Sequence, residues 1–300
     1  ARTLLAEEAE TPFDLRTGPL FRARLIRFGE ARHWLALTCH HIVSDGLSMA
    51  VIVDELGTLL AAEPTADLPP AAPFSEFVQW HLCERPGEAM RGHEAFWRTE
   101  LETPPETLHL PYDHPRPVTR SFRGARCHRR LPEDLVERID EAARGNGATR
   151  FMALLAAHLF HMHRLTGQDD IIIGIPVSGR EGGDWGRMVG YCTHLLPLRS
   201  RFEDGLDFAG FLARTKAALM TAYEHEDYPF ARLIARLGLA RDAAQPPLIT
   251  SVFNIDRPLA PLGFGDLTVE LVDRPIRFTA YDFALNVMET EDGVSFEADF

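Results

Sequence analysis

The segment His40-His41-Ile42-Val43-Ser44-Asp45-Gly46 stands between two different patterns of apolar residues. Before it, apolar residues and arginines alternate from Leu20 to Phe28, and a second run extends from His33 to Cys39, which together predict a β-hairpin. After it, apolar residues recur at helical spacing, and these are Leu47, Val51, Ile52, Leu56, Leu59 and Leu60. The segment is therefore predicted to form a turn between a strand and a helix.

Within this turn, His41 is followed four residues later by Asp45 and then by Gly46. An ordinary imidazole accepts a proton near neutral pH, and a nearby carboxylate can fix the geometry of the turn. An amine that attacks a thioester has to lose a proton, so these groups suit aminolysis of a thioester. A histidine followed four residues later by an aspartate is more often an ordinary surface or core residue than a catalytic one. A catalytic assignment therefore depends on the longer string His40-His41-x-x-x-Asp45-Gly46.

Composition and charge restrict the class of protein. Of the 300 residues, 45% are apolar and 25% are charged, which is the ordinary balance for a packed protein. This length suits one large domain or two lobes, and we favour two lobes. A net charge of −13, with no cluster of lysine and arginine, argues against a nucleic-acid partner.

The cysteines and the hydropathy pattern predict a cytoplasmic protein with no membrane partner. Four cysteines lie far apart without a C-x-x-C pair, which favours neither a zinc site nor a disulfide framework. No apolar run approaches the roughly 20 residues that cross a bilayer, and no signal-peptide pattern is visible. A second group of histidines at helical spacing is interpreted as one face of a helix rather than as a metal site; it comprises His158, His161 and His163.

The rest of the chain mixes helices and strands, which predicts an α/β (α+β layered) fold. Pro132 is expected to open a helix, Thr149 to cap another, and a further helix is predicted from Phe208 to Tyr223. The Pro-rich stretch from Thr103 to Thr119 is the predicted linker between lobes. Strands are predicted at Ile171 to Ile175, Leu248 to Ile255, Leu267 to Val272, Phe283 to Met288 and Val294 to Asp299.

The string His40-His41-x-x-x-Asp45-Gly46 resembles the HHxxxDG signature of nonribosomal peptide synthetase condensation domains. Other stretches resemble further motifs of that family, in the family's order. Each alone is a weak signal, because core packing or turn chemistry gives similar patterns, but together they identify the chain as similar to this family. The stretches are Phe74 to Trp80, Phe96-Trp97 with Leu110 to Pro117, Thr149 to Arg180, Met188 to His194, His225 to Phe230, and Arg241 to Asn254.

The resemblance implies a chloramphenicol acetyltransferase-like fold, with two lobes in a V and a central tunnel. Residues 1–115 would be the remainder of the N-terminal lobe and residues 116–300 the C-terminal lobe. The family's two opening motifs have no counterpart here, so the chain is expected to begin inside the domain. In the family an arginine of that opening segment pairs with the motif aspartate, so we expect Asp45 to lack this partner and the isolated chain to be poorly active.

The resemblance also implies the reaction: amide bond formation between a donor acyl or peptidyl thioester and an acceptor aminoacyl thioester. Both would be carried on phosphopantetheine arms of peptidyl carrier proteins, beside an adenylation domain, and the chain itself would bind no cofactor and no metal. Whether the central histidine is the base or a positioning group stays open. The implied catalytic residues are His41, His40, Asp45 and Gly46, the implied tunnel residues are Ser48, Tyr191, His194 and Asn254, and Arg180 is implied as structural support.

Two alternatives of other classes remain. A free-standing acyltransferase of the same superfamily would use an acyl coenzyme A, but no DFGWG-like segment is present. A non-catalytic carrier-docking module would be expected to carry a degraded motif, whereas the motif here is intact. His194 stands within a stretch where the family usually has Val-Asn-Thr, and it either tunes the choice of acceptor or is a tolerated polar substitution.

Overall fold

A computed structural model describes residues 2–61, 68–84, 87–239, 242–256, 264–272, 276–291 and 293–300. None of its helices is both long and apolar enough to span a bilayer. The helices are α1 Arg2–Glu10, α2 Gly46–Ala61, α3 Phe74–Gln79, α4 Gly87–Glu100, α5 Glu133–Gly145, α6 Arg150–Thr166, α7 Phe208–Glu224 and α8 Phe230–Leu237. The strands are β1 Phe21–Arg27, β2 His33–Cys39, β3 Arg126–Arg130, β4 Asp170–Val177, β5 His194–Arg201, β6 Ser251–Asp256, β7 Phe283–Thr290 and β8 Gly293–Asp299.

The described residues divide into two compact units. The first takes its residues from 1–84, 180–193 and 261–269, and the second from 85–179, 194–260 and 270–300. This division differs from the predicted boundary at 115/116, because residues 85–115 belong to the second unit. The predicted linker also lies inside that unit, where Arg116 donates hydrogen bonds to the carboxylate of Asp282 at 3.0 Å and to the carbonyl of Ala244 at 2.9 Å.

The first unit contains the predicted hairpin and the helix after it. β1 and β2 pair antiparallel from Phe21 opposite Cys39 to Arg27 opposite His33, which confirms the hairpin. A short 3-10 turn, His41–Val43, leads from β2 into α2. The heptapeptide therefore occupies the predicted position between a strand and a helix.

The second unit is built on a six-stranded mixed sheet in the order β3-β8-β7-β6-β4-β5. The buried face of α6 and the strand β4, which reads Asp-Ile-Ile-Ile-Gly-Ile-Pro-Val, supply much of its core. The predicted cap is confirmed, since Thr149 Oγ1 accepts a hydrogen bond from the amide of Met152 at 3.3 Å. Four of the five predicted strands are likewise present as β4, β6, β7 and β8.

The predicted strand from Leu267 to Val272 is wrong, because these residues have no regular secondary structure. Alternating apolar residues form a strand only where a neighbour supplies hydrogen-bond partners, and here the apolar side chains are exposed. Conversely, the polar strand β3 is absent from the prediction. It is held by backbone pairing with β8 and by Arg126, whose guanidinium donates to Asp299 at 2.6 Å.

Candidate active site

His41 is an exposed residue on the 3-10 turn between β2 and α2. The turn is capped by the preceding histidine, because His40 Nδ1 accepts a hydrogen bond from the amide of Ile42 at 3.0 Å. The backbone amide of His40 donates to the carbonyl of Leu20 at 2.9 Å. His40 thus fixes the turn, and His41 is the imidazole presented at the surface of the first unit.

Tyr191 is the aromatic neighbour of His41. Their ring centroids are 5.0 Å apart with an interplanar angle of 83°, which is an edge-to-face contact. Burial raises the pKa of the Tyr191 phenol, and the charge of Asp45 acts in the same direction. The phenol is therefore neutral at physiological pH and acts beside His41 as an uncharged ring.

The Asp45 carboxylate is buried at the start of α2 and is fully committed to hydrogen bonds. Its Oδ1 accepts from the amide of Ser48 at 2.8 Å and from the Ser48 hydroxyl at 2.7 Å, which is the bonding of a helix N-cap. Its Oδ2 accepts from the amide of Cys192 at 3.1 Å. Burial raises the pKa of Asp45, but the hydrogen bonds from Ser48 and Cys192 and the charge of Arg180 outweigh it, so the pKa lies below its usual value.

Arg180 supplies the cation for this carboxylate. Its Nη2 donates to Asp45 Oδ1 at 2.8 Å, and its Nη1 donates to the backbone carbonyls of Trp185 at 2.9 Å and Met188 at 2.6 Å. Asp45 therefore has an arginine partner within this chain, although it is not the arginine of the opening segment whose absence we expect. The reason is that the segment 180–193 lies in the same unit as the turn and brings its own guanidinium.

Ser48 joins α2 to that segment. Its side chain is fully buried, and its Oγ accepts a hydrogen bond from the amide of Gly190 at 3.0 Å and from Arg180 Nη2 at 2.9 Å. The structure therefore gives Ser48 a structural role, and its place among the tunnel residues stays a prediction. Gly46, by contrast, is exposed, and apart from its chain neighbours and the backbone of its own helix no described atom lies within 4 Å of the place where its Cβ would stand.

An aromatic cluster packs behind the segment 180–193, a contact that no sequence pattern predicts. Phe77 contacts Trp185 edge to face at 5.6 Å, and Trp80 lies 5.7 Å from the same indole. A Cβ at Gly190 would lie 2.1 Å from the ring of Phe74, so any larger residue there would require that ring to move. The stretch Phe74 to Trp80 therefore supports the segment that carries Tyr191.

The remaining two residues of the predicted tunnel belong to the second unit. His194 begins β5, and its Nε2 donates a hydrogen bond to the carbonyl of Glu226 at 2.6 Å. Asn254 lies on β6 in register with Asn286 of β7. His194 therefore ties a strand to the turn that follows α7.

The histidines of α6 do not form a joint site. His158 is buried between the rings of Phe253 and Phe283, at centroid distances of 5.4 and 5.9 Å, whereas His161 is exposed. Burial lowers the pKa of His158 to about 3, so this imidazole is neutral. Within the described ranges, no group of three or more His, Cys, Asp or Glu is arranged to hold a metal ion.

Comparison with known proteins places these features in one family. The family model described as "Condensation domain" matches residues 1–300. Tyrocidine synthase 3 of Brevibacillus parabrevis is 34% identical over 291 residues, and gramicidin S synthase 2 of Brevibacillus brevis is 32% identical over 286. These matches cover 97% and 94% of this chain but only 4% and 6% of the two relatives, so the chain spans a small part of these synthases.

Solved structures match over the same length. The X-domain from teicoplanin biosynthesis aligns with a TM-score of 0.89 at 24% identity, covering 100% of this chain and 70% of that one. The condensation domain of the monacolin K polyketide synthase aligns with a TM-score of 0.82 at 24% identity, covering 98% and 71%. These matches confirm the predicted α/β, chloramphenicol acetyltransferase-like fold class. From the family model over its whole length, the chain belongs to the condensation-domain family.

Proposed function

We propose that this chain catalyses amide bond formation between a donor acyl or peptidyl thioester and an acceptor aminoacyl thioester. Both substrates would arrive on phosphopantetheine arms of carrier proteins, with an adenylation domain as a further partner and the cytoplasm as the location. One observation carries the proposal: the exposed imidazole of His41 stands on a turn whose carboxylate, Asp45, is buried and ion-paired. The intact motif, together with peptide synthetases as relatives, supports a catalytic member of the family.

The reaction needs only one proton carrier. The acceptor amine attacks the donor carbonyl carbon, the C–N bond forms, and His41 takes the proton that nitrogen loses. The tetrahedral intermediate then collapses, the C–S bond breaks, and the departing thiolate receives the proton from His41. The products are an amide on the acceptor arm and a free thiol on the donor arm, so atoms and protons balance without a cofactor bound by this chain.

Positioning is expected to contribute more than proton transfer. General base catalysis is worth roughly 10²- to 10⁴-fold, whereas holding two reactants in attack geometry reaches effective molarities of about 10⁵ to 10⁸ M. Asp45 and Arg180 fix the turn that carries His41 through buried hydrogen bonds, which supports a larger contribution from positioning than from proton transfer. The space beside Gly46 is open, so the start of α2 leaves room for a thioester arm.

A docking function is the second candidate, and one observation favours it. The X-domain from teicoplanin biosynthesis is known in complex with OxyB, and that complex aligns with this chain at a TM-score of 0.86 and 25% identity. A protein of this fold can therefore serve to bind another protein. The complete HHxxxDG string of this chain favours catalysis over docking alone.

A reconstituted condensation assay separates the candidates. The protein, in its full natural context, is mixed with a donor carrier loaded with an aminoacyl thioester and an acceptor carrier loaded with a second one. Mass spectrometry of the acceptor carrier then detects the dipeptidyl product, which catalysis predicts. A matched reaction supplies the donor as a coenzyme A thioester. If this reaction is as fast as the one with the carrier-bound donor, the protein is a free-standing acyltransferase instead. Carrier binding without any product would leave docking as the function and overturn our proposal.

A further inference from the structure

A cavity of about 240 Å³ lies in the second unit, between the helices α4 and α7 and the strand β5. The end of α4, residues 197–201 of β5 and the α7 residues from Phe211 to Ala222 form most of its lining, and Leu159 of α6 contributes as well. Sites for drug-sized ligands occupy roughly 300 to 1,000 Å³, so this cavity has room for a small molecule only.

Part of the lining is apolar and almost fully buried. Four of its side chains are at most 5% exposed, and they are Trp97, Leu159, Leu198 and Phe211. Trp97 is also held in place, because its indole Nε1 donates a hydrogen bond to the carbonyl of His225 at 2.9 Å. This part of the cavity can therefore take the apolar body of a ligand out of water, which favours binding.

Thr215 of α7 adds a buried hydroxyl that has no partner among the described residues. The residue lines the cavity and is only 4% exposed, yet its Oγ1 forms no hydrogen bond there. A threonine hydroxyl in a helix often bonds to the carbonyl four residues earlier, and Thr215 does not make that bond. An unsatisfied buried hydroxyl costs free energy, so a ligand oxygen that accepts from it would be bound more tightly.

The charged side chains of the lining are mainly basic. Three arginines line the cavity, Arg199, Arg201 and Arg214, whereas Glu100 is the one acidic residue of the lining within the described ranges. Arg199 is already committed, since it donates to both carboxylate oxygens of Asp170 at 2.8 and 2.6 Å. The other two guanidiniums therefore decide which ligand the cavity can hold.

Arg201 has the guanidinium that is best placed to bind an anion. It is 50% exposed, and its ion pairs with Glu100 and Asp170 are 3.4 and 3.9 Å long. Charge-assisted hydrogen bonds are about 2.7 to 2.9 Å long, so neither carboxylate saturates the donors of Arg201. Arg214 pairs at 2.8 Å with Glu203, which is itself 67% exposed, and such surface pairs are weak. A ligand carboxylate can therefore bind at Arg201 without breaking a buried ion pair.

We propose that this cavity binds a small carboxylate with an apolar body. The body would lie against the buried apolar side chains, the carboxylate would accept hydrogen bonds from Arg201, and Thr215 would donate to an oxygen of the ligand. A cationic ligand would be repelled by the arginines, and a hydrocarbon would leave the Thr215 hydroxyl unsatisfied. Two sources share the proposed chemistry: a free carboxylic acid, and the C-terminus of a peptide that ends in an apolar residue.

Hexanoate and its uncharged isostere hexanamide test the role of the carboxylate. Both are titrated into the isotopically labelled full chain, and dissociation constants are taken from the amide shifts of β5 and α7. Hexanoate is expected to saturate the site, with hexanamide weaker by about threefold or more, because only the carboxylate forms charge-assisted hydrogen bonds with Arg201. N-acetylleucine is titrated in parallel: tighter binding than hexanoate identifies a peptide C-terminus as the source, and weaker binding a free acid. Absence of saturation by both carboxylates, or equal affinities for hexanoate and hexanamide, would overturn the proposal.

Variants test the two polar contacts separately. Arg201→Met keeps most of the apolar stem at a half-exposed position, and it should weaken hexanoate by about threefold or more while leaving hexanamide unchanged. Thr215→Val is nearly isosteric and removes an unpaired hydroxyl, so the fold should be at least as stable while both ligands bind more weakly. Arg236→Met is the matched control, because Arg236 is 65% exposed and lies outside the cavity. Unchanged hexanoate affinity in both the Arg201→Met and the Thr215→Val protein would contradict the inference.

Discussion

Asp45 and Arg180 are 135 residues apart in the sequence, yet their side chains form an ion pair at 2.8 Å with exposures of only 1% and 6%. Through this pair the turn that presents His41 and the segment that presents Tyr191 are held to one another. The geometry around the imidazole therefore depends on a guanidinium that the linear motif does not contain.

Removal of this guanidinium should be strongly destabilising. Arg180→Met leaves the Asp45 carboxylate buried without its cation, and breaking such a pair costs about 3 to 5 kcal/mol. Urea denaturation measures the change in the free energy of unfolding. Arg187→Met is the control, because Arg187 makes more exposed ion pairs with Asp54 and Glu55 and should lose about 1 kcal/mol or less. Equal decreases in the free energy of unfolding of the two variants would show that the buried Asp45–Arg180 pair stabilises the protein no more than an exposed one.

Gly190 and Gly46 should respond differently to the same substitution. Gly190→Ala places a Cβ against the ring of Phe74 and is expected to cost about 1 to 3 kcal/mol through overpacking. Gly46→Ala meets open space and should leave the melting temperature unchanged or slightly raised. Thermal denaturation compares them, with Phe74→Ala added to Gly190→Ala as a test of rescue. A Gly190→Ala protein as stable as Gly46→Ala would refute the close packing.

The buried imidazole of His158 predicts a pH dependence of stability. Burial lowers its pKa from 6.5 to about 3, so between these values the unfolded chain binds a proton that the folded chain does not. The folded state is therefore destabilised as pH falls through this window, by up to about 1.4 kcal/mol per pH unit. His158→Gln should flatten that slope in urea denaturation at pH 4 to 7. His161→Gln changes an exposed position on the same helix whose charge is the smaller cause of the lowered pKa, so it should leave most of that slope; an equal effect of both would contradict the assignment.

Tyr191 is expected to act on His41 through its ring rather than its hydroxyl. Tyr191→Phe keeps the edge-to-face contact, so the shifts of the His41 ring protons should stay close to those of the wild type in NMR spectra. Tyr191→Ala removes the neighbouring ring, so the same shifts should move and kcat for amide formation should fall while KM for the carriers changes little. Loss of activity in the phenylalanine variant would assign the role to the hydroxyl instead.

Apolar spacing predicts the local features of this chain well and its long-range partners poorly. The hairpin, the turn and α2 follow from the pattern around His41, and the Thr149 cap follows from a hydroxyl that begins a helix. The Asp45–Arg180 pair does not follow, because no periodicity relates residues 135 apart. β3 and the irregular stretch from Leu267 to Val272 both differ from the prediction, and the reason is the same. A segment becomes a strand when its backbone pairs with a neighbouring strand, and the side-chain pattern of the segment alone does not show whether such a neighbour exists.

The most direct test of the central claim is the rate of amide formation by His41→Ala. The variant is made in the full natural context of the chain and assayed with loaded donor and acceptor carriers, while carrier binding is measured separately. We expect product formation to fall by roughly 10²- to 10⁴-fold with carrier affinity unchanged. Full turnover by the His41→Ala protein would contradict the assignment of this imidazole as the centre of the site.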